Sequence, residues 1–515
     1  MTGLRENIKA IVIGSGIGGL TAALYLLKSG KDVTIFEQNE SPGGVTAGII
    51  QDGYCWDLGQ MILEGFGEGE QAGLIIDELD LRDNLIITRG ERTCSYPDFM
   101  LENLEKSPDI FWRREKLKEL FSDEKEGIDL YYRLYVRFME IVTLARRAER
   151  ADGAAVIFHK IRMFIKIIPL LPKIRWNAAR MMDFLFRSQK LRLLFLYMLA
   201  DFSVRPREFP GLGITAVNPE PAFNKNMPLA ISKTGRHPGY YHIKGGCAML
   251  CKVMAQEIEK RGGIIITGTT VERILINGEK VNGIVTGDGD VLTANVIFAC
   301  GGARELFFDL IGREFLQWQF IERVESLPLM ESVFMVHLGI TFDPTPHQSN
   351  AVCYYYKTRD IERAVTGLRE GRYHEGDDGF VIYIPSMAYE GAAPPGCHAV
   401  TIYTVAPNKP TSGSWKENRE AFADKLIGLA EKHIPGLEKH IATKVIITPE
   451  EFRKKAYVQH HSFGGAAPVM GSKSIPHRTP FRNLWFIGSQ SESGAGVNNV
   501  MHGVWKAVRQ MEKDK

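Results

Sequence analysis

The sequence predicts an α/β fold: a discontinuous, Rossmann-like dinucleotide-binding domain carrying a substrate (cap) domain of mixed sheet and helices. Three observations predict it. A βαβ unit with a glycine fingerprint opens the chain. A buried strand ending in glycines recurs near residue 300. A third such strand, followed by a glycine-rich turn and a helix, lies near residue 488. The expected division is 1–85, 236–312 and 456–515 for the dinucleotide domain, and 86–235 and 313–455 for the substrate domain.

The first element is the strand Ala10-Ile11-Val12-Ile13, apolar throughout as a strand buried on both faces should be. Gly14-Ser15-Gly16-Ile17-Gly18-Gly19 follows, then a helix-compatible stretch from Leu20 to Lys28, a stop at Gly30, and a second strand from Asp32 to Phe36. Gly14 permits the tight turn, Gly16 lets a pyrophosphate approach the backbone, and Gly19 lets helix and strand pack closely. The helix N-terminus offers free N–H groups and partial positive charge to phosphate. Glu37 stands 18 residues after Gly19, where an acid reaches a ribose hydroxyl. The fingerprint implies a dinucleotide and does not choose which one.

Composition sets the background. The chain has 515 residues, 44% hydrophobic and 24% charged, with a net charge of +2 that points to no nucleic acid. Seven cysteines form no CxxC pair. Cys247 and Cys251 fall one helical turn apart and read as packing residues, so no metal site is expected and a reducing, cytoplasmic setting is. The stretch Met1 to Lys9 is short and polar and does not read as a signal peptide, and no apolar run is long enough for a spanning helix.

Further motifs narrow the ligand. Ser41-Pro42-Gly43-Gly44 follows the second strand, and Asp57-Leu58-Gly59 comes soon after. Gly245-Gly246 precedes a helix expected over Met249 to Arg261. Strands are expected at Ile264–Ile266 and Thr269–Ile276, then a hairpin, Val281 to Val285 and Val291 to Leu292, then Val296-Ile297-Phe298-Ala299-Cys300-Gly301-Gly302. Asn483 to Gly488 is a buried strand, followed by Gly494-Ala495-Gly496-Val497 and a helix from about Val500.

Taken in order, these stretches resemble the FAD-dependent amine oxidase and phytoene desaturase superfamily over nearly the whole chain. The resemblance is greatest to the phytoene desaturase, carotenoid isomerase and retinol saturase group, through Ile11 to Ala23, Pro42-Gly43-Gly44, Asp52-Gly53-Tyr54, Asp57-Leu58-Gly59, Phe121 to Gly127 and Ala392 to Gly396. It implies FAD as cofactor. Gly14, Ser15, Gly16, Ile17, Gly18, Gly19, Glu37, Gln38, Gly43, Gly44, Val45, Thr46, Gln60, Met61, Val271, Gly488, Gly496 and Val497 would then be the binding residues, with Val271 beside the adenine. In the family an arginine usually follows the paired glycines; here Val45 and Thr46 follow, which points away from a plain desaturase and toward isomerase and saturase relatives.

The segment 154–200 carries nine Lys and Arg residues and one acid, Asp183, among large apolar residues such as Ile157, Phe158, Ile161 and Phe164; Pro169 and Pro172 break it into short helices. That pattern fits helices lying in a membrane surface, where each cation near anionic headgroups contributes about 1 kcal/mol. The aromatic residues sit among aliphatic ones, unlike base-stacking platforms. In the second half of the cap, Val333–Ile340, Gly379–Ile384, Ala399–Val405 and Ile441–Ile447 read as strands, and Trp415–His433 as an amphipathic helix ended by Pro435-Gly436.

The resemblance implies an FAD-dependent oxidoreductase, peripherally membrane-associated, that acts on a polyisoprenoid or polyene lipid (carotenoid- or retinoid-like) by desaturation, saturation or cis–trans isomerisation. Flavin carries out such redox steps itself, so no catalytic dyad is required. The candidate polar residues are Tyr240, Tyr241, His242, His460, His461, Ser462 and Glu64, with His461 and Tyr241 first among them. The electron partner stays open between a quinone, a redox protein and a nicotinamide. Two other readings stay open as well: a soluble amine-oxidase-like flavoenzyme, and a prenyl-lipid binding protein without redox chemistry.

Overall fold

The computed structural model describes residues 9–234 and 237–514. Met1 to Ile8, on which most of the signal-peptide reading rests, and the expected boundary between 235 and 236 lie outside the described residues.

A five-stranded parallel sheet holds Ile264–Ile266, Asp32–Phe36, Lys9–Ile13, Val296–Ala299 and Leu484–Phe486, in that order. The parallel register pairs Ile13 with Phe36 on one side and with Ala299 on the other, so the strands end together at one edge. The helix Ile17–Lys28 is buried along most of its length because the sheet, the helix Gly246–Lys260 and the helix Val497–Lys513 enclose it. That burial explains why its sequence is apolar almost all round. Cys247 and Cys251 are buried and unpaired in this same core.

A seven-stranded mixed sheet holds, in order, Ile441–Ile447, Ser332–Ile340, His398–Ala406, Gly379–Tyr383, Val352–Tyr356, Arg92–Ser95 and Met100–Leu101. Its neighbours are antiparallel except Val352–Tyr356 beside Arg92–Ser95. The helix Trp415–Glu431 packs on it, started by a reciprocal cap in which Ser414 and Glu417 each accept from the other's backbone N–H. A smaller antiparallel sheet crosses the expected boundary at residue 85: Tyr240–Ile243 pairs with Leu63–Glu64 and with Ile87–Gly90.

The helix expected from Met249 begins at Gly246. Gly245 takes a left-handed φ of +88°, and the Asp57 carboxylate accepts from the Cys247 N–H at 2.6 Å, so the helix starts one turn earlier. Likewise the last helix begins at Val497 rather than Val500.

The basic apolar segment divides into two unlike halves. The helix Ala154–Ile167 has no buried residue, and Ile157, Phe158, Ile161 and Phe164 are 61%, 56%, 56% and 61% exposed. The helices Ala178–Leu185 and Gln189–Leu196 instead bury Met181, Met182, Leu185, Leu191, Leu194 and Phe195 in the cap core, against the 26-residue helix Lys125–Arg150. For these six residues the interfacial expectation is corrected, since they are core, while Phe184 stays 47% exposed. No helix among the described residues is long and apolar enough to cross a membrane.

Candidate functional site: an FAD cradle opening into a cap cavity

The first strand ends at Gly14, and the helix begins at Ile17 with no side-chain cap at Gly16, leaving its first N–H groups free for a ligand. Gly16 and Gly19 serve different ends. A Cβ placed on Gly16 would meet nothing within 4 Å, so the space above it is open. A Cβ on Gly19 would stand 1.9 Å from the Gly14 carbonyl oxygen, so Gly19 is needed for packing. The paired glycines lie against this turn: Gly16 and Gly43 form a bridge, and the Gly43 N–H donates to the Ser15 carbonyl at 3.0 Å.

Glu37 is 3% exposed and sits at the strand ends. One carboxylate oxygen accepts from the Ser15 N–H at 2.8 Å and the Ser15 hydroxyl at 2.6 Å; the other accepts from the Asn39 N–H at 2.9 Å and the Asn39 amide at 2.7 Å. These four bonds use its four acceptor positions. A ribose diol would take the places of the Ser15 hydroxyl and the Asn39 amide, both side-chain donors able to rotate away.

The distant stretches complete the cradle. Gly301 and Gly494, like Gly16, would present an added Cβ to open space, and Gly496 starts a second helix with no side-chain cap. All face one cavity of about 1560 Å³. Of the cofactor residues expected from sequence, only Ser15 and Gly19 lie off its wall, the first turned to Glu37 and the second packed on Gly14. Two uncapped helix N-termini, open space over glycines and a buried acid at the second strand's end fit FAD. Its pyrophosphate would lie at Gly14–Gly18, its ribose at Glu37, its adenine by Val271, and its ring toward Val45, Thr46, Gln60 and Met61.

The cavity continues into the cap, where Met198, Phe209, Val217, Tyr354 and Tyr403 line it. It exceeds the several hundred Å³ usual for one small ligand, leaving room for a substrate beside the cofactor. The candidate polar residues divide. Glu64, Tyr240, His461 and Ser462 face the cavity; Tyr241, His242 and His460 do not.

Tyr241 is corrected by strand parity. Neighbours on Tyr240–Ile243 point to opposite faces, and Tyr241 points into the core, its hydroxyl donating to Glu70 at 2.8 Å. Tyr240 takes the cavity face. His461 lines the cavity as a neutral ring. Burial, with smaller contributions from His460 and Arg453, pushes its pKa down to about 3, so at neutral pH it carries one N–H and no imidazolium proton. It is stacked on Phe452, shares a hydrogen bond with the Ser332 hydroxyl at 2.7 Å through Nδ1, and leaves Nε2 buried without a partner.

Sequence reasoning missed Arg146, Asp201, Tyr354 and Tyr403 on the cavity wall. Arg146 was within reach, because the apolar spacing Ile128, Tyr132, Tyr135, Met139 marks the helix that carries it. The other three are placed by tertiary packing and had no local signal.

Residues 17–409 match the family of flavin containing amine oxidoreductases. A phytoene desaturase (lycopene-forming) of a Paracoccus species is 23% identical, the alignment covering 98% of this chain and 96% of that protein. Prolycopene isomerase 1, chloroplastic, of an Oncidium hybrid cultivar is 24% identical over 96% of this chain and 81% of its own length. Among solved structures, an oxidoreductase from Methanosarcina mazei superposes with a TM-score of 0.65 at 18% identity, covering 98% of this chain and 100% of that one. A putrescine oxidase superposes with a TM-score of 0.60 at 12% identity, covering 99% of both chains. Cradle, fold and family match together make this chain a member of the flavin containing amine oxidoreductase family and an FAD-dependent oxidoreductase, similar along nearly its whole length to carotenoid desaturases and isomerases.

Proposed function

We propose that the enzyme draws a long polyene or polyisoprenoid lipid from a membrane surface and desaturates, saturates or isomerises it. One observation carries the reading. The cavity runs from the cofactor cradle to Phe209–Gly213, and that same backbone is hydrogen-bonded to the residues that follow the exposed stretch: the Ala178 N–H donates to the Phe209 carbonyl and the Gly211 N–H to the Trp176 carbonyl, both at 2.8 Å. Just before Trp176, Ile168, Leu171 and Ile174 are about half exposed, alternating with Lys173 and Arg175. Apolar side chains facing outward among cations, joined through this backbone to the cavity wall, suit a monotopic enzyme fed from lipid. The names of the desaturase and isomerase relatives support the same substrate class.

Bound FAD supplies two-electron redox chemistry. The chain's own part is positional. The cap walls exclude water, Met198, Val217 and Phe209 shape an apolar channel, and the cradle fixes the cofactor against its inner end. A soluble amine-oxidase-like enzyme would be expected to close a small aromatic cage. Tyr354 and Tyr403 supply two aromatic walls, and Met198, Phe209 and Val217 extend the cavity beyond them.

The test uses holoenzyme with a C40 polyene in phosphatidylcholine–phosphatidylglycerol vesicles, without oxygen. Desaturation bleaches the oxidised flavin band, saturation restores it in pre-reduced enzyme, and isomerisation changes the polyene with no net change in the flavin. No change of flavin or polyene in any arm overturns the reading. In vesicle flotation, replacing Ile157, Phe158, Ile161 and Phe164 together by Ser should abolish binding while flavin content stays unchanged.

A further inference from the structure

Asp201 stands on the wall of the main cavity, and its Oδ2 is covered and has no hydrogen-bond partner among the described residues. On its other side lies a smaller void of about 30 Å³. Asp201 and Tyr403 line both spaces. His374 and Asp378 line the void as well, and both also line a polar surface cleft of about 460 Å³. Cavity, void and cleft thus follow one another, sharing a wall at Asp201 and another at His374 and Asp378.

The void has a cause in the mixed sheet. The strands Gly379–Tyr383 and His398–Ala406 pair from Tyr383 and Thr401 as far as Val381 and Tyr403, and their pairing stops there. Just past that point the Thr404 hydroxyl donates to the Gly379 carbonyl at 2.7 Å. The helix Ile361–Arg369 covers the opening with Ala364, Val365 and Leu368. The outer end of the void is polar. His374 Nδ1 accepts from the backbone N–H groups of Gly376 and Asp378, so the neutral ring carries its proton on Nε2, 3.4 Å from the Thr404 hydroxyl oxygen. The Asp378 carboxylate accepts from Arg363 at 2.8 Å. A space of this size holds one or two waters, and the polar partners such waters need stand at its two ends.

The inner end adjoins the chemistry. Tyr354 and Tyr403 pack in one cluster with Val45, Leu58 and Met61, on the side toward which the flavin ring would face. Burial lifts the Asp201 carboxyl to about 7 and Arg92 opposes the shift, so the group can both take and give a proton near neutral pH. The other titratable groups around it are Cys94, Tyr354, Tyr356 and Tyr403, with His374 and Asp378 across the void. We propose that Asp201 and water in the void pass protons between the cavity and the surface cleft at His374 and Asp378. Desaturation breaks two C–H bonds on adjacent carbons. One hydrogen leaves with both electrons as a hydride to bound FAD; the other leaves its electrons in the new C=C bond and departs as a proton. Asp201 takes that proton as an O–H bond and yields it to water in the void, which delivers it to the cleft. Saturation runs the same path inward. The proposal rests on the polyene reading above, because a lipid filling the cavity displaces the water that would otherwise carry the proton.

The experiment uses holoenzyme loaded with squalane, a saturated isoprenoid, from phosphatidylcholine vesicles, and a shift of the flavin absorption band reports loading. Without oxygen, reduced methyl viologen supplies electrons and carries no proton. Two viologens and one proton reduce one FAD, and a pH indicator follows the proton by stopped flow. Asp201→Asn keeps the shape of the side chain but cannot carry the proton, so it should slow uptake at least about a hundredfold. Asp201→Glu should restore most of the rate. Transfer of the first electron, which needs no proton, should be unchanged in both. Ala364→Val places two methyl groups in the void with Asp201 left in place, and should slow uptake as well. Uptake at the unmodified rate in Asp201→Asn or in Ala364→Val overturns the inference and leaves the polyene reading standing. A flavin band that ignores squalane and every polyene overturns both. Where Asp201→Asn fails to fold, Ala364→Val decides.

Discussion

Gly16 and Gly19 belong to one fingerprint but answer to different neighbours, and substitution separates them. A valine at Gly16 would project into open cavity where the cofactor would lie. Gly16→Val should therefore lose flavin, read as the ratio of 450 nm to 280 nm absorbance, while the apoprotein melts where the unmodified apoprotein does. Gly19→Val would drive Cβ into the Gly14 carbonyl and should destabilise apoprotein and holoprotein alike by several kcal/mol. Either variant behaving like the other would contradict this division. At His461 the sign of the pH dependence follows from burial. The folded ring titrates near 3 and the unfolded one near 6.5, so between these values only the unfolded chain takes up the proton. The contribution is fully present above pH 6.5 and is lost as pH falls toward 3, at up to about 1.4 kcal/mol per pH unit. His461→Gln should show a correspondingly shallower loss of stability in denaturant titrations between pH 6.5 and 4; an unchanged slope argues against a buried neutral ring. This scale also shows what the sequence withheld. Tyr240 and Tyr241 are chemically identical neighbours, and only the pairing of their strand with Leu63–Glu64 and Ile87–Gly90 decides which faces the cavity.

At the scale of elements, the parts that hold the cofactor were legible because each has a local cause: apolar strands, glycines where backbones meet, and a stop at Gly30. The cap was legible only where periodicity was clean. The strands of the mixed sheet were found at nearly their observed bounds, whereas Arg92–Ser95 and Val352–Tyr356, which close it on the other side, were not. The hairpin Gly48–Gln51 and Tyr54–Asp57 turns at Asp52 and Gly53, both at positive φ, and the Asp-Gly pair is its signal. The helix Lys125–Arg150 carries its signal in the spacing of its aromatic face, among interleaved charges. That helix and the helix Trp112–Leu120 bracket a buried ion pair: Arg113 meets Glu220 at 3.3 Å with both side chains wholly covered, and Phe223 lies 3.6 Å from the guanidinium. Removing one partner strands the other charge in the core. Glu220→Ala should thus cost about 3–5 kcal/mol in chemical denaturation, and the double change Arg113→Met with Glu220→Leu should recover most of it. A cost below about 1 kcal/mol for the single change would mean the pair is not buried as described.

At the scale of the whole molecule, the cofactor site exists only when three distant stretches meet. Gly14, Gly301 and Gly488 follow three adjacent strands of one parallel sheet, and the parallel register is what brings their ends to a common edge. The stretches between them fold into the mixed sheet and the helical cap, so substrate wall and cofactor cradle are built from alternating parts of the chain. No unfolded or partly folded chain offers the complete site. FAD must then stabilise the native state by mass action, by about 2.7 kcal/mol when free FAD is one hundred times its dissociation constant. Apoprotein prepared without flavin should melt at a temperature that climbs with added FAD and continues to climb, logarithmically, above saturation. Gly16→Val should show no such climb over the same concentrations, because it fills the space the cofactor needs while leaving the fold intact. A chain truncated before residue 456 lacks both Leu484–Phe486 and the helix Val497–Lys513 that encloses Ile17–Lys28, and should neither bind FAD nor unfold cooperatively. An unmodified apoprotein whose melting temperature ignores FAD would separate the fold from the cradle, and with it the argument that this sheet's shared edge is where the cofactor is held.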